Sequence, residues 1–140
     1  MRKLFCTGLL LACAAFAATA GTRYFMDPLG GSGGSASTNG NETIYRNDKG
    51  EITMTAHREK LVTTYRDAGG EVIGTATESG RVTTYRNAKN EVLYTATQIG
   101  LVITYRNAKN EILGTATIQP DKSLVYRDAA GKIVGTQSRR

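Results

Sequence analysis

A tandem repeat with a period of 20 residues accounts for most of the sequence. Residues 101–117 read LVITYRNAKNEILGTAT, residues 81–97 read RVTTYRNAKNEVLYTAT and residues 61–77 read LVTTYRDAGGEVIGTAT. Residues 41–57 and 122–138 are more divergent copies, with one slip of the period to 21. Tandem copies of this kind each form one supersecondary unit, which buries its apolar face by packing on its neighbours.

Each copy predicts a β-hairpin. Leu61–Asp67 and Glu71–Thr77 are rich in Val, Ile, Thr and Tyr, which favour strands. The three residues 68–70 between them predict a type I turn followed by a residue with positive φ, where Gly or Asn fits best. The Asp or Asn before each loop can hydrogen-bond the turn backbone. We therefore predict three-residue loops at 68–70, 88–90 and 108–110.

The connections between copies carry a similar signal. Glu78-Ser79-Gly80 and Gln98-Ile99-Gly100 predict three-residue loops, and 118–121 predicts a four-residue loop. Because every connection is short, neighbouring strands are antiparallel. The predicted fold is all-β, an antiparallel meander of ten short strands made from five hairpin repeats, as an open curled sheet or a solenoid-like array.

Loop lengths of three predict the register. Tyr65 should lie opposite Ile73, and Ile73 opposite Tyr85. One face then carries the row Tyr45, Thr53, Tyr65, Ile73, Tyr85, Leu93, Tyr105, Leu113, Tyr126 and Val134, together with Thr63, Thr75, Thr83, Thr95 and Thr115. The other face carries Val62, Gly74, Ala76, Val82, Ala96 and a basic row of Arg46, Arg66, Arg86, Arg106 and Arg127.

The tyrosine row Tyr45, Tyr65, Tyr85, Tyr105 and Tyr126 admits two interpretations. A tyrosine ring with its polar tip suits the binding of sugars, peptides or proteins. The same rings also pack well against aliphatic neighbours to hold a sheet together. We favour packing, with the hydroxyl groups at the surface.

The N-terminal residues predict export. Residues 1–20 combine Arg2 and Lys3, an apolar run and a small-residue cleavage site at Ala18-Thr19-Ala20, which is typical of a signal peptide. The apolar run is too short for a membrane span. Leu10-Leu11-Ala12-Cys13 loosely matches a lipid-attachment site, so a lipoprotein anchored at Cys13 is the less favoured alternative. The predicted location is the periplasm or the exterior.

Residues 21–40 differ in composition from the repeats, and residues 30–35 read GGSGGS. We predict a Gly/Ser-rich flexible linker over 21–40 and a folded repeat domain over 41–138. Loss of Arg2 and Lys3 lowers the net charge from +6 to +4, which does not favour nucleic-acid binding.

The sequence offers little for catalysis. The two cysteines, Cys6 and Cys13, both fall inside the signal peptide, and His57 is the single histidine. Glu71, Glu91 and Glu111 recur beside turns, whereas catalytic carboxylates occupy distinct environments. We expect no enzyme activity, no cofactor and no metal.

The motif Tyr-x-Asp-x-x-Gly at Tyr65–Gly70 and Tyr126–Gly131 resembles the YD repeats of Rhs and teneurin proteins, which are hairpins that spiral into a β shell. It is closer to short exported proteins of Gram-negative bacteria with tandem Tyr-x-Asp-x-x-Gly-x-x-x-Gly-Thr units. The hairpin period is also similar to choline-binding repeats, whose tryptophans are absent here. Five copies are too few for an enclosing shell, so the resemblance does not imply toxin encapsulation.

Three functions fit these observations. The first is an exported non-catalytic module that binds a protein or a cell-surface glycan, or acts as a scaffold. The second is a subunit of an extracellular fibre or matrix that self-associates through its strand edges. The third is an ice- or glycan-facing surface made by the threonine rows.

Signal cleavage after Ala20 is directly testable. Intact mass spectrometry of the exported protein should give a mature chain that begins at Gly21, because Ala18 and Ala20 supply the peptidase pattern. A diacylated chain that begins at Cys13 would contradict this prediction and place the protein on a membrane.

Overall fold

We describe a computed structural model of the 140-residue chain. It describes the secondary structure of residues 21–25 and 34–139 and the side chains of 35–137. The predicted signal peptide, residues 1–20, lies outside the described residues. The described part contains twelve β-strands and no helix, which confirms the all-β prediction.

The strands follow one another along the chain as β1 Gly21–Phe25, β2 Gly34–Asn39, β3 Glu42–Asn47, β4 Ile52–Glu59, β5 Val62–Asp67, β6 Val72–Ser79, β7 Val82–Asn87, β8 Val92–Ile99, β9 Val102–Asn107, β10 Ile112–Ile118, β11 Leu124–Asp128 and β12 Ile133–Arg139.

Strands β2 to β12 pair in chain order and form a single antiparallel meander of eleven strands. The meander is not closed by itself, because β2 and β12 do not pair with each other. Strand β1 lies between them and pairs antiparallel with both. The complete strand order therefore runs through β1 as a closed barrel.

The three-residue loops within the repeats are present as predicted. Asp67 N donates to Glu71 O across the loop 68–70, and Gly70 N donates to Asp67 O at 3.0 Å, as in a type I turn. The third loop residue has positive φ in every copy: Gly50, Gly70, Asn90, Asn110 and Gly131. The Asp67 carboxylate accepts hydrogen bonds from Gly69 N and Glu71 N, the predicted capping of the turn.

The predicted register across these hairpins is wrong by one residue. Tyr65 pairs with Gly74, whereas Arg66 pairs with Val72, so Ile73 is an extra residue without a cross-strand partner. This is a β-bulge, in which two residues of one strand oppose one residue of the other. Every copy has the bulge, at Thr53, Ile73, Leu93, Leu113 and Val134.

The connections between copies were predicted one residue too long. Ser79 pairs with Val82 and Ile99 with Val102, which leaves two-residue turns in place of the loops predicted at 78–80 and 98–100. Only the first turn residue has positive φ, as at Gly80 and Gly100, a feature of type II′ turns. Such turns match the twist of the adjoining strands.

The one extra residue in the repeat period lies in the connection between β10 and β11. Gln119 N donates to Ser123 O, which closes a three-residue loop over residues 120–122. The last residue of this loop, Lys122, has φ 65°. The predicted four-residue loop at 118–121 is therefore wrong. Hydrogen bonds from Ser123 lower the pKa of the Asp121 carboxyl. Tyr126 still pairs with Ala116, so the extra residue leaves the tyrosine row in place.

The bulge and the two-residue turns together place several residues on the side of the sheet opposite to the predicted one. Each tyrosine of the row pairs with an Ala on the preceding strand, as Tyr65 pairs with Ala56. On the following strand Tyr65, Tyr105 and Tyr126 pair with Gly, whereas Tyr45 pairs with Met54 and Tyr85 with Tyr94. Gly74, Ala76 and Ala96 therefore point inward, not outward as predicted, and Thr75, Thr95 and Thr115 point outward. Thr63 and Thr83 remain on the tyrosine face, and Val62, Val82 and the arginine row remain outside, as predicted.

The sheet extends into the segment predicted to be a flexible linker. Strand β2 pairs with β3 over six residues, from Gly34↔Asn47 to Asn39↔Glu42. Residues 34–40 read GSASTNG and match 74–80, GTATESG, at twice the repeat period. The Gly/Ser composition concealed a further half-repeat, so the ordered domain begins before residue 41. Residues 26–33 lie outside the described part of the chain.

A substitution at Gly70 tests the loop geometry. Gly70 has φ +87° and a Cβ there would meet no atom, so backbone conformation alone determines the effect. Gly70→Val should lower the free energy of unfolding by about 1–2 kcal/mol, because a β-branched residue disfavours positive φ. Gly70→Asn is the matched control, since Asn90 occupies the same position in the next copy.

Equal melting temperatures for the Val and Asn variants would contradict the loop geometry.

Candidate functional site: the outer face of the sheet

The tyrosine row forms the core. Tyr45, Tyr65, Tyr85, Tyr105 and Tyr126 are between 0 and 3% exposed. Their burial agrees with the packing interpretation and removes them from any binding surface. The hydroxyl oxygens of Tyr45, Tyr85 and Tyr105 are themselves buried, so the prediction that the hydroxyl groups reach the surface is wrong.

Tyr85 belongs to an aromatic cluster with Tyr94 and Tyr105. Its ring stacks on Tyr94 with ring centroids 4.4 Å apart, and Tyr94 meets Tyr105 edge-on at 6.3 Å. Burial, with a smaller contribution from the neighbouring tyrosines, raises the pKa of the Tyr85 phenol well above its usual 10.0. Because the folded state keeps this proton, the associated stability is present below about pH 10 and is lost as the pH rises further.

The arginine row supports the hairpin loops. In four copies the guanidinium Nη1 donates to the carbonyl of the loop residue with positive φ: Arg46 to Gly50, Arg66 to Gly70, Arg106 to Asn110 and Arg127 to Gly131, at 2.9–3.1 Å. Arg86 occupies the equivalent position of the remaining copy. The row therefore has a repeated structural role, and its charges lie at the loop end of the outer face.

Two of the three recurring glutamates accept hydrogen bonds from the residue that precedes their loop. The Asn87 amide donates to Glu91 at 2.6 Å, and Asn107 donates to Glu111 in the same way. Arg58 and Glu78 form a partly exposed ion pair at 2.8 Å. The His57 ring lies 3.0 Å from Glu42, and both side chains are more than half exposed. Each of these carboxylates therefore has a hydrogen-bond or ion-pair partner within the sheet or its loops.

Threonines occupy the middle of the outer face. Thr77, Thr84 and Thr95 are successive partners on β6, β7 and β8, and Thr97, Thr104 and Thr115 repeat this row on β8, β9 and β10. We call these six residues, with Thr75 and Thr117, the threonine patch. All eight side chains are half-buried. Neighbouring strands lie about 4.8 Å apart, so the hydroxyl groups recur at a regular spacing.

Exposed aliphatic residues flank the patch at both ends of the strands. At the loop end, the residue that pairs with the arginine within each hairpin is exposed: Ile52, Val72, Val92, Ile112 and Ile133. At the turn end, Ile99 and Leu101 are 66% and 62% exposed. The outer face therefore combines regularly spaced threonines with exposed aliphatic side chains, and Arg86, Arg106 and Arg127 lie directly beside the patch on its loop side.

The sequence contained a signal for this arrangement. In Gly74-Thr75-Ala76-Thr77 the small residues alternate with threonines, and a tyrosine needs a small neighbour on the adjacent strand. That pairing of large with small side chains places Gly and Ala inside and both threonines outside. Prediction from loop length alone missed Thr75, Thr95 and Thr115 as outer-face residues.

Comparison of the sequence with models of protein families and with curated proteins finds no match. The resemblance to YD repeats therefore stays a prediction. Within the described residues, no three His, Cys, Asp or Glu side chains lie close enough together to hold a metal ion. No helix in that part of the chain has the length and apolar character needed to cross a membrane.

Replacement of Tyr85 separates ring packing from the buried hydroxyl. Tyr85→Ala should cost about 3 kcal/mol or more of unfolding free energy, because the ring is fully buried and stacked. Tyr85→Phe should be neutral or stabilising, since the hydroxyl makes no hydrogen bond with any described residue. Urea denaturation measures both.

A loss in Tyr85→Phe as large as that in Tyr85→Ala would show that the hydroxyl, not the ring, provides the stability.

Proposed function

We propose that this chain is an exported, non-catalytic repeat module whose threonine patch binds a cell-surface glycan. The observation that carries the proposal is the regular array of half-buried threonines over five adjacent strands, β6 to β10. A periodic surface suits a periodic ligand, and a polysaccharide repeats the same hydroxyl groups along its length. A threonine offers both a hydroxyl, which donates and accepts hydrogen bonds, and a methyl group.

The distribution of charge supports an uncharged ligand. Four of the five arginines donate to loop carbonyls, and Glu91 and Glu111 accept from asparagines, so these charged groups are held at the loop end of the strands. Thr75, Thr95 and Thr115 each lie beside an arginine of the row. The cross-strand partners of the other five patch threonines are all uncharged. An anionic polymer would favour cationic side chains directed toward its path, whereas four of the five arginines donate to loop carbonyls.

A protein partner is the second candidate within this function, and the exposed Ile99 and Leu101 favour it. Protein interfaces concentrate their binding energy in a few buried aromatic or arginine anchors. The described outer face offers no tyrosine for that role, because the six tyrosines of residues 35–137 are all buried. Four of the five arginines on this face are already bound to loop carbonyls. The glycan therefore fits the face better.

Fibre assembly through strand edges is the alternative function. The edges that it requires, β2 and β12, are both paired with β1. Self-association by this route requires β1 to leave its position. Export itself rests on the sequence of residues 1–20 and is part of the proposal.

A pull-down with insoluble polysaccharides tests the patch. The mature protein is incubated with purified peptidoglycan, cellulose and chitin, and the bound fraction is titrated. Thr84→Val, Thr95→Val and Thr104→Val together remove three hydroxyl groups and keep the side-chain shape. Each lost hydrogen bond is worth about 0.5–1.5 kcal/mol, so binding should weaken tenfold or more.

The matched control is Thr55→Val with Thr136→Val, two outer-face threonines away from the patch. These changes should leave binding and the melting temperature unaltered. Equal binding by the patch variant and the wild type, or equal loss in the control variant, would contradict the proposed site.

A further inference from the structure

Strand β1 fills a gap between the two ends of the repeat array. Strand β2 pairs with β3 on one side and β12 pairs with β11 on one side, and the remaining side of each faces β1. Five residues of β1 pair with β2, from Gly21↔Thr38 to Phe25↔Gly34, and three pair with β12, from Arg23↔Arg139 to Phe25↔Gln137. Without β1, both would be sheet edges with unpaired backbone groups.

The connection of β1 to the sheet differs from that of every other described strand. Eight residues, 26–33, join Phe25 to Gly34, whereas all the other hairpin connections are short turns. If cleavage follows Ala20, β1 is also the first segment of the mature chain. A terminal strand on a long connection is the kind of element that two copies of a protein exchange.

We propose that the gap between β2 and β12 is a strand-binding site that accepts β1 from a second copy of this chain. The backbone hydrogen bonds are the same whichever copy supplies the strand, as in donor-strand complementation. Residues 35–39 of β2 carry no charge, so this edge has no charged side chain to repel an incoming strand.

The donor strand, β1, and the gap that accepts it, between β2 and β12, are different surfaces of the chain. The way in which two copies pair these surfaces determines which assemblies can form. Two copies that exchange β1 reciprocally give a closed dimer, whereas exchange in one direction leaves a free gap and extends into a filament. A tethered strand has an effective concentration in the millimolar range. Dilute wild-type protein is therefore monomeric, and shortening the tether shifts the equilibrium toward exchange.

Deletion of residues 26–33 provides the test. An antiparallel return needs a loop of at least two residues, so direct fusion of Phe25 to Gly34 prevents β1 from pairing with its own β2. Size exclusion with light scattering should show that the wild type is a monomer and that the deletion variant has at least twice its mass. The control is the same deletion with Thr22→Pro and Tyr24→Pro, which removes backbone donors from β1 and should restore the monomer.

A folded monomeric deletion variant would overturn the proposal, and so would oligomers that persist in the proline control. If the deletion prevents folding, a chain that begins at Gly34 is titrated with the synthetic peptide GTRYFMDPL, the sequence of residues 21–29. Saturable binding to that chain but not to the full mature chain supports the strand site, and no binding overturns it. Polysaccharide binding by the oligomer reports on the threonine patch separately.

Discussion

The packing of each tyrosine of the row against a small residue of a neighbouring strand determines this fold. Tyr65 lies between Ala56 and Gly74, and Tyr105 lies between Ala96 and Gly114. A Cβ at Gly74 would collide with the carbonyl oxygen of Arg86, so the adjacent strand approaches too closely for a side chain there. Buried aromatic rings provide most of the apolar surface in a domain with so few large aliphatic core residues.

This packing requires the bulge. With a regular ladder, the three-residue loop would set Tyr65 against Ile73, and Gly74 and Ala76 would face outward. The extra residue restores the inward direction of both small residues and leaves Ile73 partly buried beside the core. Bulges also bend a strand and increase its twist. Repetition of one bulge in each copy thus bends the sheet in the same sense along its length, which brings its two ends within reach of β1.

The sequence was sufficient to predict the hairpins, the loops at 68–70, 88–90 and 108–110, and the common face of the tyrosines. The register was not predictable from loop length, because a Gly such as Gly80 suits a three-residue loop and a type II′ turn equally. One residue of error at each connection moves a whole set of side chains to the opposite face. The assignment of Thr75 and Ala76 to the wrong faces followed from that error together with the missed bulge at Ile73. The pairing of large with small side chains would have corrected it.

The division of roles within one repeat explains why function is concentrated on the outer face. Asp or Asn caps the loop, Arg binds the loop carbonyl, and Tyr with Gly or Ala fills the interior. Three threonines of the repeat have none of these roles: the two in the second strand, such as Thr75 and Thr77, and the one that precedes the Tyr-Arg pair, such as Thr64. They are repeated nevertheless, and the proposed glycan site gives them a common purpose.

Chemical nitration of the folded protein tests the central claim most directly. Tetranitromethane modifies accessible phenols, and peptide mass mapping identifies each of the seven tyrosines in the sequence. The inward tyrosine row predicts that Tyr45, Tyr65, Tyr85, Tyr105 and Tyr126 stay unmodified in the native protein and are nitrated in urea. Nitration of Tyr65, Tyr85 and Tyr105 in the folded state would show that the row faces solvent and would contradict this account of the fold.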